Sequence, residues 1–223
     1  MRTRAVIFDF NGTISDDEPL LDELFRALFD ELGLGFTSET YYEQLAGLSD
    51  PEIVARAFEI GGVRAGEEQR AALLARKIDL YKAAVSARPA ISPAAVRFVS
   101  ETARRVPVAI ASGAVREEVE HGLSIAGILG EFTAIVCIDD VERGKPDPQG
   151  YEMALARLNA AAGPPPVAPA GVLVFEDADA GVRAARAAGM RCVALAGPAY
   201  TGTPVAADVV IDALDPALLD ALL

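Results

Sequence analysis

Of the chain's 223 residues, 52% are hydrophobic, none is tryptophan, and 33 acidic side chains stand against 20 basic ones, a formal net charge of −13. That is enough apolar material for one large core plus a smaller insert, and the wrong charge for gripping a nucleic-acid backbone or an anionic membrane. A site for an anionic substrate in such a chain needs a bound cation or locally gathered positive charge.

Residues 5–8 are a short apolar run that ends at Asp9, with Phe10-Asn11-Gly12-Thr13 following. Similar runs recur at 106–110, 134–138, 172–175, 192–195 and 209–211. They are continuous rather than alternating, the pattern of strands buried on both faces of a parallel sheet. Helical patterns separate several of them, over 93–104, 115–125, 148–159 and 180–188, so the fold class is read as α/β with a doubly wound parallel sheet. Between the first two strands the rhythm breaks, and 15–88 reads as helix only. There Leu20, Leu24, Leu28 and Leu32 recur every four residues beside Leu21, Phe25 and Phe29, and Gly33 and Gly35 end the helix. Leu73, Leu74, Ile78, Tyr81 and Val85 make a second apolar face. The expected division is a core domain at 1–14 and 89–223 with a small all-helical cap at 15–88 inserted where it covers the sheet's ligand edge. The Pro-rich stretch 160–170 is read as a stiff connecting loop.

Cys137 and Cys192 sit inside apolar runs, as buried thiols of a cytosolic protein do. His121 is the only histidine, which excludes a His-rich metal site, and it lies off the Val115/Val119 stripe as an exposed helical residue. No apolar run approaches ~18 residues and no secretory h-region opens the chain, so a cytoplasmic protein without membrane or nucleic-acid partners is expected, as a monomer or weak dimer.

Ligands of open parallel sheets bind beyond the carboxyl ends of the strands, near the point where strand order reverses. Asp9, Ser112-Gly113, Lys145 and Glu176-Asp177 all follow strands or lie in the loops just after them. An acid, a hydroxyl, an ammonium and two further acids thus converge on one edge.

In the segments Val6-Ile7-Phe8-Asp9-Phe10-Asn11-Gly12-Thr13, Ile110-Ala111-Ser112-Gly113, Gly144-Lys145-Pro146-Asp147-Pro148 and Val174-Phe175-Glu176-Asp177-Ala178, the chain resembles the haloacid dehalogenase superfamily. The run from Gly181 to Met190 resembles it too, and the helical insert resembles the β-phosphoglucomutase-like phosphatase branch. The resemblance implies that Asp9 attacks phosphorus to give an aspartyl-phosphate. It implies Mg2+ held by Asp9, Asp177 and the Asn11 carbonyl, with Glu176 as a further or supporting ligand. Lys145 would supply charge to phosphate and Asp9, while Ser112, Gly113 and Thr13 would cradle the phosphate or brace the turn. Asp147 and Pro148 are read as the cap and first residue of the next helix, and Asp179 as an alternative cap for the one after. Gly47-Leu48-Ser49 resembles the cap's substrate loop and reads equally as a plain helix-to-helix turn. The implied partner is a small phosphorylated metabolite.

Position 11 departs from the family pattern, which has an acid–base Asp there. Asn11 can neither give nor take that proton at neutral pH, and losing such a group costs ~10²–10⁴ in rate. A reactive leaving group, a replacement acid among Asp16, Asp17 and Glu18, phosphate binding with weak turnover, or an engineered residue would each account for it. Other activities of the superfamily stay open as alternatives: dehalogenation, sugar-phosphate mutation, for which Asn11 is least suited, and phosphonate cleavage, for which Lys77 or Lys82 would have to form a Schiff base.

Overall fold

The computed structural model describes residues 2–223. Six parallel strands form one sheet: β1 (Ala5–Phe8), β2 (Val108–Ala111), β3 (Ala134–Val136), β4 (Val172–Glu176), β5 (Arg191–Leu195) and β6 (Val209–Ile211). Their order is β3-β2-β1-β4-β5-β6, so the direction of winding reverses between β1 and β4. Phe8 pairs with Ile110 on one side and Phe175 on the other, which sets the carboxyl ends of β1 and β4 level. The sheet is doubly wound as the continuous apolar runs require.

Alternation along each strand divides the core in two. Val6 and Phe8 face a cluster with Phe98, Val99, Val119, Leu123 and Leu219, contributed by α5 (Pro93–Ala103), α6 (Arg116–Ile125) and α9 (Leu219–Leu222). Ala5 and Ile7 face Tyr151, Leu155, Val182 and Ala185, from α7 (Gln149–Ala162) and α8 (Asp179–Ala187). Phe8 stacks on Phe175 at 5.1 Å between ring centres, and Phe98 meets Phe175 edge-on at 5.2 Å. These rings sit directly beneath the strand ends that carry Asp9 and Glu176 and hold them in register.

The helices of the insert, between β1 and α5, are α1 (Glu18–Glu31), α2 (Ser38–Gln44), α3 (Asp50–Ile60) and α4 (Glu67–Ala87). They close on a core of their own around Phe25, Phe29, Tyr41, Ile53, Phe58 and Tyr81. The buried face of α1 is Leu21, Phe25, Leu28 and Phe29, not the Leu20/24/28/32 row; Leu32 is 49% exposed. In α4 the buried row is Leu73, Lys77, Tyr81 and Val85, so a lysine occupies the middle of the apolar stripe.

Lys77 explains how the insert is fixed to the core. Its Nζ donates to both Asp50 oxygens, at 3.0 and 2.9 Å, and to Glu118 Oε2 at 2.7 Å. All three side chains are buried; Asp50 lies in the insert and Glu118 on α6 of the core. The two carboxylates hold the Lys77 ammonium above its ordinary range against the opposing effect of burial. Next to this clamp Lys82 pairs with Glu117, and His121, half-buried rather than exposed, places Nε2 2.9 Å from Ser86 Oγ. Removing one member of a buried ion pair strands the others without water and costs ~3–5 kcal/mol. Lys77→Met is therefore expected to lower stability by about that amount in urea unfolding, with Lys82→Met, at a half-exposed pair, changing it far less.

Candidate active site

The loop after β1 is built by one carbonyl. Phe10 O accepts from the amides of Thr13 (3.3 Å), Ile14 (3.0 Å) and Ser15 (2.9 Å), which curls the chain over the strand end. Gly12 makes the curl possible with φ +69°; a Cβ there would lie 1.9 Å from Asp177 Oδ2. The Asp9 amide donates to Phe175 O at 2.9 Å, continuing the β1–β4 ladder one step past the strand. Asp9 and Asp177 are thereby carried to the same point from two neighbouring strands.

Asp9, Glu176 and Asp177 each offer a carboxylate oxygen within 4.8 Å of the others, and all three are buried. Lys145, in the loop before α7, donates to Asp9 Oδ1 and to Glu176 Oε1. Glu176 is the most constrained of the group. Its Oε1 also accepts from the Tyr151 hydroxyl at 2.7 Å, and its Oε2 from the amides of Asp177 and Ala178 at 3.0 and 3.1 Å. Gly181 leaves room for it, since a Cβ there would fall 1.7 Å from Oε1. Among the described residues Asp177 has only the Thr13 hydroxyl, at 3.5 Å.

Three buried carboxylates thus share one ammonium. Burial, and next the Glu176 charge, push Asp9 up to about 7 against the pull of Lys145, and burial with the Asp9 and Glu176 charges pushes Asp177 well above the ordinary carboxylate range. The same carboxylates hold Lys145 firmly protonated. Such an imbalance is relieved by a hard cation with oxygen ligands, and the donor set is all oxygen. The residues present fit a divalent metal ion.

The remaining expected residues fall as follows. Gly113 lines the same cavity as Asp9, Asn11, Lys145, Glu176 and Asp177. Ser112 lies behind it, its hydroxyl accepting from the Ala114 amide at 3.0 Å, and Thr13 points at Asp177. The turn Gly47-Leu48-Ser49 lies against the core: a β-carbon added to Gly47 would fall 2.9 Å from Ala178 Cβ, and one added to Gly113 3.3 Å from Ser49 Cα. It roofs the cavity together with Leu21, Tyr41 and Ile53. Helix α7 starts one residue later than read, at Gln149, whose amide Asp147 Oδ1 accepts at 3.0 Å. Asp179 does not cap α8; it is the first residue of that helix and accepts instead from the Thr201 and Gly202 amides.

Asn11 is tied away from proton chemistry by its neighbour. Its Nδ2 donates to Asp17 Oδ2 at 2.9 Å, the Gly12 amide to Asp17 Oδ1 at 3.3 Å, and the Tyr81 hydroxyl to Asp17 Oδ2. Asp17 is wholly buried, and burial pushes its carboxyl up while these donors pull it down. Asp16 is exposed. Glu18 opens α1 and lines the cavity, with burial first and the Asp17 and Asp9 charges next pushing it up to about 8.

A six-stranded parallel sheet with acids at the carboxyl ends of its two central strands, a lysine bridging them and a helical roof define a hydrolase of phosphate esters built on an α/β core. The chain belongs to the haloacid dehalogenase-like hydrolases, whose family model matches residues 3–189, and to their phosphatase branch. It is 31% identical to the phosphorylated carbohydrates phosphatase of Thermotoga maritima over 189 residues, 83% of this chain and 82% of that one. It is 30% identical over 201 residues to the validoxylamine A 7'-phosphate phosphatase of Streptomyces hygroscopicus subsp. limoneus, covering 86% and 85% of the two chains. Among solved structures it is similar to CbbY from Rhodobacter sphaeroides in complex with phosphate, with TM-score 0.85, 26% identity and 99% of each chain covered. A mutant of that protein, solved in complex with xylulose-(1,5)bisphosphate, matches equally well.

The Asn11–Asp17 contact yields a test. Asn11→Asp replaces a donor by a second carboxylate at hydrogen-bond distance from a buried one. A lost hydrogen bond to a charged group is worth ~1.5–3 kcal/mol, and for a chain of this size 1 kcal/mol moves the midpoint by ~2–4 °C. N11D is expected to melt several degrees lower than the wild type, and adding Asp17→Asn is expected to restore most of the loss in thermal unfolding.

Proposed function

We propose that the protein is a Mg2+-dependent phosphomonoester hydrolase of small phosphorylated metabolites that works through an aspartyl-phosphate at Asp9. The observation that carries this reading is the position of Asp9: buried, bridged by Lys145 and beside Asp177, at the floor of a cavity lined by the strand ends and the insert. The carbohydrate-phosphate and validoxylamine-phosphate phosphatases named above support the same substrate class.

Asp9, Asp177 and the Asn11 carbonyl would hold the ion, with Glu176 bracing Lys145 and the cluster behind it. Bound there, Mg2+ supplies charge that draws the phosphate oxygens against the buried carboxylates. The chain's own groups do the rest. Lys145 works against the burial that raises Asp9 and would neutralise charge on the transferring group. Gly113 lines the cavity ahead of α6, and its amide would donate to a phosphate oxygen there. The insert, acting as a cap over residues 15–88, keeps water from the phosphoenzyme until the leaving group departs. We include Thr13 and Ser112 as supports of the loops, Thr13 through Asp177 and Ser112 through Ala114.

Of the alternatives, phosphonate cleavage lacks its amine: Lys77 is locked between Asp50 and Glu118, Lys82 pairs with Glu117, and neither lines the cavity. Sugar-phosphate mutation needs proton transfer in both directions at the position Asn11 fills. Asn11 itself favours one second reading, a phosphate-metabolite binder with slow turnover.

With Mg2+ and p-nitrophenyl phosphate, the wild type is expected to turn over, EDTA to stop it, and Asp9→Ala to leave only background. Asp177→Ala is expected to raise the Mg2+ concentration needed for half-maximal rate by ten-fold or more. Full activity in Asp9→Ala would remove the covalent mechanism, and tight phosphate binding without turnover in the wild type would favour the binder.

A further inference from the structure

The proton that Asn11 cannot handle needs another carrier, and the sequence leaves three neighbouring acids open: Asp16, Asp17 and Glu18. The structure separates them. Asp16 is exposed, outside the cavity. Asp17 is wholly buried, its oxygens occupied by Asn11, Gly12 and Tyr81. Glu18, first residue of α1, lines the cavity that Asp9 floors. Beyond the metal cluster, only one other carboxylate lines that cavity, Asp50, and Lys77 holds both of its oxygens. Among the described residues Glu18 has no cationic partner; its one hydrogen bond is from the Tyr41 hydroxyl to Oε2 at 3.3 Å, and Oε1 has no protein donor.

We infer that Glu18 is the acid–base catalyst of this chain, doing from the roof of the cavity the proton transfer that Asn11 cannot do from its floor. The inference rests on the phosphatase reading above. In the first step Asp9 Oδ bonds to phosphorus as the bond from phosphorus to the leaving oxygen breaks. The Glu18 carboxyl passes its proton to that oxygen, so an alcohol leaves and Glu18 becomes a carboxylate. In the second step water attacks phosphorus and gives a proton to Glu18. The Asp9–phosphorus bond breaks, inorganic phosphate departs, and both side chains return to their starting forms. Glu18 lines the cavity with one oxygen held by Tyr41 and the other without a protein donor, and burial favours its protonated start.

An acid matters in proportion to the basicity of the leaving group, which gives a readout that a structural role would not move. Wild type, Glu18→Gln and Asp16→Asn are compared with Mg2+ on p-nitrophenyl phosphate, whose phenolate needs no proton, and on glycerol 1-phosphate, whose alkoxide does. E18Q is expected to keep the p-nitrophenol burst within about three-fold and then turn over slowly as the aspartyl-phosphate waits for its base. On glycerol phosphate it is expected to lose ~10²-fold or more in the first step, while D16N matches the wild type on both. Should E18Q fail to fold, Glu18→Asp carries the same comparison with a smaller loss. Equal loss of the first step on both esters, a rise in KM alone, or no first-step loss on the alkyl ester would overturn the role of Glu18 while leaving Asp9-dependent hydrolysis standing. Absence of Asp9-dependent hydrolysis of either ester in the wild type would overturn the phosphatase reading and this inference with it.

Discussion

The arrangement on which the rest depends is the excess of buried negative charge at the end of β1 and β4. Asp9, Glu176 and Asp177 would repel one another strongly in a dry site, and Lys145 offsets only part of that. The fold meets the cost by fixing each group from more than one side. The paired ends of β1 and β4 set the spacing, Tyr151 and two backbone amides saturate Glu176, and Gly12 and Gly181 give up side chains to make room. Such a cluster is stable only when a cation completes it. The same incompleteness fits the cluster to a divalent cation in a chain whose overall charge is −13.

The insert is joined to this centre by polar contacts that run through buried space. Lys77 ties α3 and α4 to α6, and Tyr81 of α4 reaches Asp17, which in turn holds Asn11 and Gly12. The stripe on α4 therefore carries two messages: Leu73 and Val85 bury the helix, while Lys77 and Tyr81 connect its position to the loop that follows Asp9. Asn11 and Asp17 read as a matched pair, because an amide serves the buried carboxylate as a donor and a second acid would not.

Much of this was legible beforehand. The strands announced themselves because burial on both faces removes alternation, and the order of Asp9, Ser112, Lys145 and Glu176 along those strands located the edge where chemistry would gather. Boundaries slipped where local bonding intervened. The second strand starts at Val108 because Val106 is held by Thr102 O at the end of α5 and Pro107 has no amide to give. The third stops at Val136 because Asp140 draws the Cys137 amide into a turn. Lys77 was invisible as a clamp, since a lysine at helical spacing reads as a solvated residue and its two acids lie 27 and 41 positions away. Glu18 and Asp17 were indistinguishable as neighbouring acids; only the direction each takes from the start of α1 separates them.

The close approach of Gly47 to Ala178 has a consequence for how such a molecule admits its ligand. At 2.9 Å between an added β-carbon and the Ala178 methyl, the roof rests on the core with the tolerance of a single hydrogen atom. The contact acts as a gauge block: the fit of the roof is set by bare backbone against one small side chain. Any substituent on that glycine would be a doorstop, holding the chamber ajar to bulk water.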